Sequence, residues 1–72
     1  MEGKNLYFLL KDLFLKNGTT EAEAGRAIGI AKPNFNRKIK AGTLRATEVI
    51  DLLNSMGYSV YAEKNGEKIE LK

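Results

Sequence analysis

The 72-residue chain has no cysteine, no histidine and no tryptophan. Without cysteine there is no disulfide framework. Without cysteine and histidine together there is no thiolate nucleophile, no imidazole base and no zinc site of the usual kinds. An enzyme would have to work with Asp, Glu, Lys, Tyr, Ser and Thr alone. The acids are scattered over the chain, with no paired carboxylates and no glycine-rich phosphate loop. No catalytic residue, cofactor, metal or small-molecule ligand is therefore expected. Long apolar runs are also missing. The longest, Leu6 to Leu10, falls far short of the roughly 20 residues of a membrane span, and no stretch has the form of a signal peptide. No membrane partner is expected. The length suits one domain, 1–72, with a core so small that oligomerisation is a common supplement.

Positive charge is present and unevenly placed. The net charge is +3, from 12 basic and 9 acidic residues. Between Ala31 and Arg45 lie Lys32, Arg37, Lys38, Lys40 and Arg45 with no acid among them, so the rest of the chain is slightly acidic. A cationic patch on such a body suits a polyanionic partner.

Glycines at 18, 29, 42 and 57 each follow a segment of helical pattern, where a C-terminal cap is wanted. The first helix is predicted over Asn5 to Lys16. Leu6, Leu9, Leu10, Leu13 and Phe14 form its apolar stripe, and most of Tyr7, Phe8 and Leu15 are expected as wider core contacts. Thr20 to Glu23 reads as a capping box starting a second helix that ends near Ile28, with Ala24, Ala27 and Ile28 inward. Pro33 belongs at the first position of a third helix, with Lys32 as its N-cap. Phe35 and Ile39 would be its only anchors. A fourth helix is predicted from Thr47 as N-cap to Met56. Val49, Ile50, Leu53 and Met56 face the core, and Leu52 lies off that face as a dimer contact.

The tail, 58–72, reads as a β-hairpin. Two alternating stretches flank Asn65-Gly66, the strongest signal for a type I′ turn. A two-residue turn fixes the register: Lys64 opposite Glu67, Glu63 opposite Lys68, Ala62 opposite Ile69, Tyr61 opposite Glu70, Val60 opposite Leu71. The apolar face (Val60, Ala62, Ile69, Leu71) is expected to pack on the helices, because an isolated two-stranded hairpin is marginal. Its open edges are available to a second copy.

Two short helices joined by a tight glycine-containing turn, the second basic and polar outward, describe a helix-turn-helix at 20–41. Small residues at Ala24 and Gly25 allow a close crossing. A major groove about 12 Å wide admits one helix, where asparagine suits adenine edges and arginine or lysine suits guanine edges and phosphates.

The run from Thr20 to Thr43 resembles the phage-repressor and Cro-like (XRE) helix-turn-helix family: an opening Thr, a small residue five positions on, Gly29-Ile30 at the turn, a hydrophobic anchor, a basic stretch and Gly42. The resemblance extends to about Met56. It implies a mostly α fold with a small β part, a four-helix lambda-repressor-like helix-turn-helix domain followed by a C-terminal β-hairpin. It also implies a sequence-specific transcriptional regulator of repressor type, binding double-stranded DNA in the cytoplasm of a bacterial cell or phage-infected host. Carried over by position, the base-contacting slots fall on Lys32, Pro33, Asn34 and Arg37. Asn36, Lys38, Lys40, Thr43 and Arg45 fall in or beside backbone-contacting regions. Three positions depart from the family. Glu21 replaces a common glutamine that touches phosphate, Ala31 replaces the turn serine, and Pro33 offers only van der Waals contact. A homodimer is expected, with Leu52, Val60, Tyr61 and Ala62 as candidate contacts, through either the hairpin or the fourth helix. The rival reading is a protein-interaction module on the same scaffold: an antitoxin, anti-repressor or inhibitor that binds an acidic protein surface.

Overall fold

A computed structural model describes residues 3–71. Four helices are followed by two strands: α1 (Gly3–Lys16), α2 (Glu21–Ala27), α3 (Lys32–Ala41), α4 (Ala46–Ser55), β1 (Val60–Lys64) and β2 (Glu67–Leu71). Local chemistry sets the boundaries. Thr20 caps α2 through its hydroxyl, which accepts from the Glu23 amide at 3.1 Å, while Glu23 Oε1 accepts from the Thr20 amide at 3.2 Å. The predicted capping box is thus complete. The third helix starts one residue earlier than expected, with Ala31 as N-cap and Pro33 in the first turn. It ends at Gly42, whose φ of 70° lets its amide reach Ile39 while the Thr43 amide bonds Lys38.

The core is small and drawn from all four helices. Leu10 and Phe14 of α1, Ala24 of α2, Phe35 and Ile39 of α3 and Leu52 of α4 are buried. The Phe14 and Phe35 rings meet with centroids 6.4 Å apart. α2 crosses close to α3 because Gly25 has no side chain: a Cβ there would stand 2.9 Å from Phe35 Cγ and 3.1 Å from the Ile30 carbonyl oxygen.

Several expectations need correction. Leu52 is 0% exposed and sits at the centre of the core, so it offers nothing to a second copy. Helix α4 carries an apolar arc wide enough to hold Leu52, Val49, Leu53 and Ile50, with Met56 just past its end, and the body lies on the Leu52 side of it. Its N-cap is Arg45, not Thr47. In α1 the inward face is centred on Leu10 and Phe14 and turned toward half-buried Tyr7. Leu9 is consequently exposed, and Phe8 and Leu15 lie outside altogether, at 63% and 80% exposure. Ala27 of α2 is exposed as well.

The hairpin has the predicted register at all five pairs, from Val60 opposite Leu71 to Lys64 opposite Glu67. Asn65 and Gly66 both have positive φ, 51° and 85°, as a type I′ turn requires. Its packing is not as predicted. Only Val60 is half-buried; Ala62, Ile69 and Leu71 are exposed. β1 touches α4, while Leu71 borders an apolar groove between α1 and α4 that Leu6, Leu9, Val49 and Leu53 also line. The rest of the hairpin projects, within overall dimensions of 40 × 24 × 21 Å. Lys72 lies outside the described residues.

Candidate nucleic-acid interface

Three kinds of side chain share the circumference of α3. Phe35 and Ile39, four residues apart, point inward and are each 1% exposed. Asn36 and Lys38 each adjoin an anchor in sequence, about 100° around the helix from it, and so lie on the two flanks. Pro33, Asn34, Arg37, Lys40 and Ala41 occupy the remaining arc and are all exposed.

The flanks are fastened to the neighbouring helices. Asn36 Nδ2 donates to Glu21 Oε2 at 2.7 Å, joining α3 to the first residue of α2. Glu21 Oε1 is buried without a hydrogen bond, with Lys11 Nζ of α1 3.5 Å away. On the other side Lys38 Nζ meets Glu48 Oε2 at 3.1 Å, joining α3 to the first turn of α4. Glu48 Oε1 in turn accepts from the Arg45 amide at 2.8 Å. The Arg45 amide and the Lys38 ammonium hold the Glu48 carboxyl below its ordinary value of 4.5, against a smaller opposing effect of burial.

Two of the five positions expected at DNA phosphates, Asn36 and Lys38, are therefore half-buried and engaged inside the molecule. The partners that hold them were missed from sequence. Glu21 and Glu48 stand at helix starts, where a carboxylate already suits the dipole and no further role is needed to explain it. Polar residues immediately beside the anchors were the available signal.

The other seven expected residues are exposed: Lys32, Pro33, Asn34, Arg37, Lys40, Thr43 and Arg45. Arg37 lies opposite the buried anchors, and its Nη2 donates to Asn34 Oδ1, one turn back, at 3.2 Å. Lys32, Arg37, Lys40 and Arg45 have no ion-pair partner among the described residues. The first turn of α3 has neither an acid nor a side-chain cap, whereas α2 has both. The outward side of α3 is thus cationic and uncovered. Of the candidate dimer contacts, Val60 is half-buried and Ala62 exposed, and Tyr61 is 49% exposed with Lys68 Nζ 5.0 Å from its ring centroid.

No family model, curated protein or solved structure matches the chain. Among the described residues, no three potential metal ligands come together and no helix is long and apolar enough to cross a membrane.

Proposed function

We propose that this chain is a sequence-specific double-stranded DNA-binding regulator of the lambda-repressor-like helix-turn-helix kind, acting as a homodimer. One observation carries the reading. α3 is held by Phe35 and Ile39 beneath and by Asn36 and Lys38 at its flanks, and it leaves Lys32, Pro33, Asn34, Arg37 and Lys40 bare. A helix fixed in this way fits a major groove. Lys32, Asn34 and Arg37 read base edges and Pro33 offers van der Waals contact, while Lys40, Thr43 and Arg45 hold phosphates. Asn36 and Lys38 act from the flanks, keeping the helix in place. The missing cap and the absence of acid in the first turn of α3 favour an anion at that end. A dimer would present two third helices about 34 Å apart, one turn of DNA.

Titration against duplex DNA over a series of salt concentrations tests the reading. Arg37→Ala should cost about 1–3 kcal/mol on a selected site and relax the preference at one base position. Lys40→Ala should weaken all sequences alike and lower the salt slope by about one. No binding to either a random duplex pool or a selected site would end the proposal and favour an acidic protein surface as the partner.

A further inference from the structure

The outward side of α3 offers hydrogen-bond donors and no free acceptor, which decides the bases it can read. We propose that Asn34 and Arg37 act as one donor-only unit whose target is two neighbouring keto bases on one strand, guanine at Arg37 and guanine or thymine at Asn34. The proposal deepens the DNA-binding reading and rests on it.

Among the described residues, the exposed side chains of α3 belong to Lys32, Pro33, Asn34, Arg37, Lys40 and Ala41. Lysine and arginine carry donors alone, and proline and alanine side chains carry neither donor nor acceptor. Asn34 Oδ1 is thus the one side-chain acceptor on this arc, and Arg37 Nη2 donates to it at 3.2 Å. Asn36, the other asparagine of the helix, is half-buried on a flank, with its amide nitrogen bound to Glu21. The helix itself contains no acid, and the two carboxylates bonded to it, Glu21 and Glu48, meet its flanks.

The contact changes what Asn34 reads. An unengaged asparagine suits adenine, because its oxygen accepts from N6 while its nitrogen donates to N7. Both ends of the amide must then face one base. Here the oxygen is directed one turn along the helix at a guanidinium, so the nitrogen is the end left for DNA. Arg37 commits one N–H to this bond and keeps others for O6 and N7 of guanine.

Guanine and thymine present only acceptors to the major groove, N7 with O6 in one and O4 in the other. Adenine and cytosine present amino groups. An amino group set against this side of α3 loses its water and finds no acceptor in exchange. The spacing agrees. Three residues rise about 4.5 Å along a helix, close to the roughly 3.4 Å between successive bases of a strand. Pro33, exposed beside Asn34, suits the methyl group of thymine.

Selection from a random duplex pool and titration of the selected site test the proposal, with circular dichroism to confirm that each variant is folded. The native chain should select a guanine next to a guanine or thymine on the same strand. Exchanging guanine for adenine, or thymine for cytosine, replaces a carbonyl by an amino group on the same ring. Either exchange should weaken binding by about tenfold. Arg37→Ala releases Asn34 Oδ1, so preference should vanish at the guanine and turn to adenine at its neighbour. Asn34→Asp keeps an acceptor for Arg37 and replaces the amide donor by a second acceptor. The guanine should then be retained while the neighbour turns to adenine or cytosine. Adenine beside the guanine in the native selection, no preference at either position, or an Arg37→Ala variant altered at the guanine alone would overturn the proposal and leave duplex binding standing. A folded native chain that binds no duplex at any salt concentration overturns the DNA-binding reading, and the proposal with it.

Discussion

Gly25 and Glu48 show how much a single position settles in a chain this small. Gly25 is buried at the crossing of α2 and α3, and one of the two groups crowding it is the Ile30 backbone carbonyl, which cannot swing aside as a side chain does. Gly25→Ala should therefore destabilise the fold by about 1–3 kcal/mol in urea unfolding, despite alanine's better helix propensity. Glu48 binds two partners only as a carboxylate. Its folded pKa is depressed, so its contribution is present above the unfolded value near 4.5 and disappears as pH falls through the lower folded value. Glu48→Gln should lower the melting temperature at neutral pH, and the gap from the native chain should close below that range. Thermal melts taken in steps from pH 7 down into the acid range measure both.

At the scale of the element, the sequence announced the ends that a local motif sets, while the starts of α3 and α4 and several helix faces fell elsewhere. The capping box at Thr20, Gly42 and the Asn65-Gly66 turn each impose a local geometry without help from distant parts, so they were legible, and the hairpin register followed from the turn alone. The inward direction of α4 was not. Its apolar residues span almost half the circumference, and only the packing of other elements against it, α2 among them, decides that Leu52 is the residue at the centre. Leu52→Ala should accordingly cost about 2–5 kcal/mol of stability in chemical denaturation, as a core cavity does. A loss of self-association with stability unchanged would contradict that placement. The cationic patch was legible by composition. The engagement of Asn36 and Lys38 was not, because it depends on where the starts of α2 and α4 come to rest.

At the scale of the whole molecule, the six buried hydrophobic side chains among the described residues all lie in the helices, and the hairpin adds half-buried Val60 at its base. A body with so little interior is marginal alone. If the proposed homodimer supplies part of the stability, the melting temperature should rise with protein concentration, by mass action. A melting temperature constant over a hundredfold dilution series would mean that the helical body is stable unaided.

The division of labour around α3 has a further consequence. The residues that keep this helix in place are a different set from those it presents outward, so its outer surface can be rewritten without refolding the chain. Exchanging Asn34, Arg37, Lys40 and Ala41 as a group should leave thermal stability nearly unchanged while altering which sequences are chosen, which would make the domain a frame for grafted specificities.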